Sequence, residues 1–181
     1  VAATFSHNVK LEIFWTIVPT IILLVIAIPS FRLLDSAEHY PKPDFTIKVI
    51  GNQWYWNYQY PDHGGFKYDS NMLSDAELKD GQKRLLDVDN PIVIPAGANV
   101  QFLITSQDVI HSFSMPSAGI KMDAVPGRTN AVSIQIDKIG TYYGQCSELC
   151  GINHAFMPIM LKVVTQEEFQ YWITASQKKF E

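Results

Sequence analysis

The run Gly144-Gln-Cys146-Ser-Glu148-Leu-Cys150-Gly-Ile-Asn-His154-Ala-Phe-Met157-Pro158 sets two thiols, an imidazole and a thioether at the spacing C-x3-C-x3-H-x2-M. Thiolate and thioether sulfurs are soft donors that favour copper, and imidazole is borderline. Four such side chains within twelve residues can converge from one loop between two strands. A second imidazole stands 35 residues before Cys146, in Asp108-Val-Ile-His111-Ser-Phe, at the end of a strand-like region over Val100–Ser106. A single-copper electron carrier uses one Cys, two His and a weak Met, so the additional Cys needs an explanation. Two thiolates can bridge two metals. Each metal would then keep one terminal His, with Met157 and a backbone carbonyl as weak outer ligands, and an electron could spread over both ions. Three other readings compete. Two cysteines alone favour a Cys146–Cys150 disulfide in an oxidising compartment. A structural Cys2His2 zinc site is possible, although it gives Met157 no role. A lone His111 is usually a satisfied core or surface histidine. His and Met in register behind both cysteines weigh toward copper.

The surrounding sequence is rich in strand signals. Phe45, Ile47 and Val49 alternate with Thr46 and Lys48, and Val100, Phe102 and Ile104 alternate with Gln101, Leu103 and Thr105. Further β-rich runs are Trp54–Tyr60, Pro91–Pro95, Ala131–Ile136, Thr141–Gln145 and Ile159–Val164, separated by Gly, Pro and Asn-Asp clusters. Many short strands with turns predict a mainly β Greek-key sandwich or barrel. Leu73–Lys79 is expected to form a helical turn in an acidic loop. Thr165-Gln-Glu-Glu168 has the form of a capping box, and Phe169, Trp172 and Ile173 share a helical face, so a short amphipathic helix is expected to close the chain.

Nineteen residues from Ile13 to Phe31 carry no charge. At about 1.5 Å per residue they reach roughly 28 Å, the thickness of the hydrocarbon layer, and predict a transmembrane helix. Pro19 and Pro29 would break a water-exposed helix but are tolerated in a membrane. Lys10 and Arg32 flank the span one on each side, so positive charge does not orient it. Tyr40-Pro41-Lys42-Pro43 reads as a semi-rigid spacer. The expected organisation is a membrane region with linker over 1–40, a β domain over 41–165 and a C-terminal helix over 166–181. The mean hydropathy of +0.01 over 181 residues is thus an average of unlike parts. Residues 35–181 hold 17 acids and 12 bases, a water-facing head of net charge −5. That balance argues against nucleic acid as a partner.

Together with Leu11-Glu-Ile-Phe-Trp15-Thr-Ile-Val-Pro19, Gly51-Asn-Gln-Trp54-Tyr-Trp56, Asp87-Val-Asp-Asn90, Pro126-Gly-Arg128 and Tyr142-Tyr-Gly-Gln-Cys146-Ser-Glu148, the chain resembles cytochrome c oxidase subunit II over essentially its whole length. The resemblance implies a cupredoxin-like β-sandwich holding a binuclear copper A centre bridged by Cys146 and Cys150. His111 and Met157 would complete one copper, and His154 with the main-chain carbonyl of Glu148 the other. It also implies a magnesium or manganese ion bound by the Glu148 side chain at the contact with the catalytic subunit I. Trp54 would be the exposed electron-entry residue, with Trp56 as core, and Asp89 and Asp108 would be docking acids for basic cytochrome c. Glu12, at the membrane end opposite the head, would lie at the entrance of a proton-uptake pathway, or else be an interfacial carboxylate. Other oxidase subunits and lipid would be further partners. The membrane would be the inner membrane of a bacterium or mitochondrion, with the head in the periplasm or intermembrane space. The family normally has two transmembrane helices. Because this chain begins Val1-Ala2-Ala3 and reaches its apolar stretch at Ile13, the first is expected to be missing and the chain to be a fragment or processed product. Quinol oxidase subunit II shares the fold but lacks the copper ligands that stand here, and a membrane-tethered copper-delivery protein would give Trp54 and Glu148 no role.

Overall fold

The computed structural model describes residue 4, residues 6–38 and residues 42–180. The chain divides into two compact units, Val1–Tyr40 and Pro41–Glu181. Tyr40 and Pro41 of the expected spacer lie outside the described residues.

In the first unit a helix, α1, runs Val9–Glu38. Asn8 opens it: its side-chain oxygen accepts the N–H of Leu11 at 3.2 Å, while its own N–H donates to Glu12 Oε1 at 3.1 Å. Orphan donors of the first turn are thereby met. The helix passes through Pro19 and Pro29. Its stretch Val9–Asp35 is long and apolar enough to cross a membrane, and among the described residues none of it is buried. The apolar helical stretch thus includes the uncharged run 13–31 together with Lys10 and Arg32 at its ends.

The second unit contains β1 (Phe45–Asn52), β2 (Tyr55–Gln59), β3 (Lys67–Ser70), β4 (Ile92–Pro95), β5 (Asn99–Ser106), β6 (His111–Met115), β7 (Ile120–Ala124), β8 (Asn130–Gln135), β9 (Gly140–Cys146) and β10 (Pro158–Val164), followed by the helix α2 (Gln166–Lys179). Two five-stranded sheets form, ordered β3-β2-β1-β5-β8 and β4-β10-β9-β6-β7. This is a sandwich and not a barrel. The alternation in β1 and β5 has the expected consequence: the strands pair in parallel with Phe45 opposite Val100, Ile47 opposite Phe102 and Val49 opposite Ile104, all six buried. Ile92, Ile94, Phe113, Met115, Ile159, Leu161 and Val163 of the other sheet join the same core.

Three strands were not marked by the sequence. All five residues of β6, His-Ser-Phe-Ser-Met, are buried, so the serine face is covered as fully as the apolar one. Lys67–Ser70 and Ile120–Ala124 do alternate, but over only four and five residues, too short a run to stand out in the sequence. Trp54 is not in a strand; β2 begins at Tyr55. Leu73–Lys79 forms no helix. The N–H and hydroxyl of Ser74 both donate to Glu77 Oε2, at 2.9 and 2.6 Å, closing a single turn.

At the C-terminus the capping box is present, with Glu168 N–H donating to Thr165 Oγ1 and Thr165 N–H to Glu168 Oε2. Phe169 and Ile173 are buried and Trp172 is half-buried. Phe169 stacks on Phe45 at 5.3 Å, and Trp172 packs on Tyr60 at 5.1 Å. His63 sits edge-on to both Phe45 and Phe169. Burial there holds its imidazole below the usual range, with Asp62 opposing the effect.

Two outcomes are expected. The unfolded chain protonates His63 near pH ~6.5 and the folded chain only at lower pH, so stability is lost as pH falls below about 6.5. Urea unfolding across pH 5–7 should show part of that loss removed in His63→Phe. A Cβ on Gly144 would overlap the Ser114 carbonyl oxygen of the neighbouring strand, a backbone atom that cannot swing away. Gly144→Ala should lower the midpoint of thermal unfolding by on the order of 5 °C, read by near-ultraviolet circular dichroism.

Candidate metal centre

Three neighbouring strands of one sheet bring the donors together. β6 starts at His111, β9 ends at Cys146, and β10 starts immediately after Met157. β9 lies between the other two, with Cys146 opposite Phe113 and Gln145 opposite Pro158. The 147–157 connection that carries Cys150, His154 and Met157 is therefore the loop of the β9–β10 hairpin, and His111 rises beside it. Main-chain bonds fix the loop at both ends: Ser147 N–H donates to Ser112 O at 3.0 Å and Cys146 N–H to Met157 O at 3.4 Å. The indole N–H of buried Trp56 also donates to Met157 O, at 3.2 Å, which gives this core tryptophan a part in holding the loop.

The sulfurs of Cys146 and Cys150 are 3.8 Å apart and unbonded, so the disulfide reading does not describe this state. His111 Nδ1 is 3.9 Å from Cys146 Sγ, His154 Nδ1 3.5 Å from Cys150 Sγ, and Met157 Sδ 3.5 Å from Cys150 Sγ. The main-chain oxygen of Glu148 lies 3.4 Å from Cys146 Sγ. Ligand atoms of His111, Cys146 and Cys150 all fall within 4.8 Å of one another. Two sulfurs at this separation can share a metal through bonds of about 2.3 Å opening at close to the tetrahedral angle. Cys146 and Cys150 are only 3% and 1% exposed, and His111 and Met157 are equally sealed, while His154 is half-buried. The donor set therefore fits a soft metal excluded from water.

Electrostatics divide the two thiols. Burial raises Cys146, but the hydrogen bond with His111, followed by the main-chain N–H of Ser112 and the Glu148 contact, brings it down to about 6. Burial and then the adjacent Cys146 charge push Cys150 up to about 12. His111 is oriented from behind, with Nε2 2.9 Å from Asp108 Oδ1. Its ring also packs on the end of β1: a Cβ on Gly51 would lie 2.8 Å from His111 Cδ2.

The other residues singled out in the sequence occupy varied places. Trp54 is half-buried, not exposed, because its indole N–H is turned inward to the Cys150 carbonyl at 3.2 Å. Asp108 is more than a surface acid, since it also accepts the main-chain N–H groups of Gln53 and Val109. Asp89 stitches another loop by accepting Asn71 and Asn90 N–H groups at 2.8 and 2.7 Å. The exposed Glu148 side chain borders a surface groove with Lys121, Asp123, Arg128 and Asn130. Glu12 belongs to the first unit and closes the start of α1. Sequence reasoning passed over Gly51 and Gln53, whose importance depends on what the fold places against them.

A β-sandwich whose cysteines, histidines and methionine converge at one end of a sheet, on a chain with a membrane-length helix, defines a cupredoxin-like membrane protein with a candidate metal site. Residues 45–164 match the family model described as cytochrome c oxidase subunit II, periplasmic domain, and residues 1–33 match its transmembrane domain. The chain belongs to the cytochrome c oxidase subunit II family. It is 60% identical over 178 residues to a probable cytochrome c oxidase subunit 2 of Rickettsia bellii, covering 98% of this chain and 66% of the relative. It is 61% identical over 178 residues to the Rickettsia felis counterpart, covering 98% of this chain and 56% of that one. The chain thus spans between 56% and 66% of the length of these curated relatives. The crystal structure of the periplasmic domain of subunit II of cytochrome oxidase of Bradyrhizobium japonicum superposes with a TM-score of 0.74 at 49% identity, covering 79% of this chain and all of that one.

Gly51→Ala should drive the His111 ring off Cys146 while leaving every donor residue in place. Copper affinity, measured by competition with a chelator, should fall roughly tenfold.

Proposed function

We propose that this chain is the electron-entry subunit of a cytochrome c oxidase and that it holds two copper ions. Cys146 and Cys150 would bridge the pair, His111 and Met157 would serve one ion, and His154 with the Glu148 carbonyl the other. The observation that carries this reading is the convergence of all these donors at one sealed end of the second sheet, with two sulfurs 3.8 Å apart. When bound, the copper pair supplies one-electron transfer between cytochrome c and the haem of subunit I, where oxygen is reduced to water and protons are pumped.

The chain's own residues supply the surroundings. Strand ends and loop hydrogen bonds fix the sulfurs, so little of the cradle has to move when charge changes. Burial keeps water away. Trp54 lies between the surface and the Cys150 carbonyl, which suits it to electron entry. The acidic head would draw in a basic cytochrome c, with Asp89 and the partly exposed Asp108 as docking acids. The outward carboxylate of Glu148 is a hard oxygen donor suited to magnesium or manganese, with further ligands supplied by subunit I. Glu12 would stand at a proton entrance on the other side of a bacterial or mitochondrial inner membrane, with α1 in contact with lipid.

The full chain, purified in detergent and loaded with copper, should give a paramagnetic spectrum in which one electron is shared by two equivalent copper nuclei. A spectrum from one copper nucleus would overturn the reading. Trp54→Phe should keep the copper and reduce electron uptake from cytochrome c in the assembled oxidase by about tenfold or more, measured by stopped flow. A copper-delivery protein would instead show unchanged electron uptake and ready loss of metal to an acceptor.

A further inference from the structure

We propose that Gln53 is a positioning residue that ties together the two ligand-bearing segments of the metal centre and settles which backbone carbonyl faces the metals. What it positions rests on the copper reading above; the tie itself rests on hydrogen bonds within the chain.

Gln53 and Trp54 form the turn between β1 and β2, remote in sequence from every metal ligand. The main-chain N–H of Gln53 donates to Asp108 Oδ2 at 2.7 Å, and the other oxygen of that carboxylate lies 2.9 Å from His111 Nε2. The side-chain amide of Gln53 donates to the Cys150 carbonyl, 97 residues further on, also at 2.7 Å. One residue therefore closes a path from His111 through Asp108 to Cys150 on protein atoms alone. A Cβ on Gly151 would come within 3.0 Å of Gln53 Nε2 and 3.1 Å of Trp54 Cζ2, so a glycine there lets the turn lie flat on the loop.

Two consequences follow for the centre. With Nε2 engaged by Asp108, His111 is held with Nδ1 toward Cys146 Sγ, so the orientation of this ligand depends on where the 53–54 turn places Asp108. The Cys150 carbonyl receives both the Gln53 amide and the Trp54 indole, which engages both of its lone pairs. It is thereby withdrawn as an outer ligand. Among the described residues the Glu148 carbonyl has no such pair of donors on it, and it lies 3.4 Å from Cys146 Sγ, on the side of the sulfurs.

The test uses the full chain in detergent with two substitutions that remove the donor, Gln53→Glu of equal shape and Gln53→Leu without charge. Gln53 is exposed, and unchanged amide exchange in β1 and β5 would verify that the sandwich is intact. In the metal-free chain, amide hydrogen exchange over residues 108–112 and 147–154 should accelerate about fivefold in both variants, as expected for loss of one hydrogen bond. In the copper-loaded chain, extraction by a chelator should quicken by about the same factor and the reduction midpoint should shift. Exchange unchanged in both segments, or altered only at residues 53–54, would overturn the tie. A single-copper spectrum in the unsubstituted chain would instead overturn the copper-pair reading, while the metal-free exchange would still decide the tie.

Discussion

Two sulfur atoms 3.8 Å apart and nearly sealed from water cannot both carry charge without a cation beside them. Two like charges at that distance repel by about 4 kcal/mol at the effective dielectric of a protein interior, equivalent to about three pKa units. The repulsion acts in the direction seen for the pair: despite burial, the hydrogen bond with His111 draws Cys146 down, and burial with the neighbouring Cys146 charge pushes Cys150 up. A soft cation placed between the sulfurs would offset that repulsion. Much of the surrounding structure can be understood as the means of keeping that pair close against its own repulsion. Each sulfur sits on an element that cannot drift: Cys146 on the end of β9 between two partner strands, and Cys150 in a hairpin loop pinned by Ser112, Trp56 and Gln53.

The sandwich contributes packing that reaches the site directly. Trp56, fully buried, lies 5.3 Å edge-on from Phe113 in the opposite sheet and 5.9 Å from the His111 ring. Gly51, two positions along β1 from the core residue Val49, leaves the room that His111 occupies. Core and metal site are consequently one packing problem. A core change near Phe113 or Trp56 would alter ligand geometry as well as stability, because close-packed interiors transmit displacement.

How far these features could be read from the sequence follows from how local each one is. The alternation in β1 and β5 was legible because one face of each strand is buried and the other is not, and the C-terminal capping box was legible because its partners are three residues apart. Cys146, Cys150, His154 and Met157 stood out because a single hairpin loop presents them. His111, 35 residues upstream of Cys146, joined the set as a second imidazole and through the family resemblance; the pairing of Cys146 with Phe113, two residues along the strand that His111 opens, is what carries it to the loop. β6 was hidden because it is five residues long and its serine face, which reads as solvent-facing, is buried. Gln53 and Gly51 were illegible for a stronger reason. Nothing in a polar turn residue or a glycine indicates that segments 55 to 100 residues away will fold against it.

Asp108 shows why a charged residue in a sequence resists a single assignment. As a surface acid beside the centre it could attract a basic partner, and about a third of its side chain remains exposed for that purpose. It also accepts two main-chain N–H groups and engages His111, bonds that hold its carboxyl below the usual range despite the opposing effect of burial. These roles reinforce each other. A carboxylate kept ionised by fixed donors presents a constant negative charge to an approaching cation, and the same fixed donors prevent it from leaving His111 to follow that cation. Docking and ligand orientation can therefore share one group without one disturbing the other, provided the donors come from rigid backbone. The Gln53 N–H, at the head of a hairpin whose two strands are paired through Asn52 and Tyr55, meets that condition.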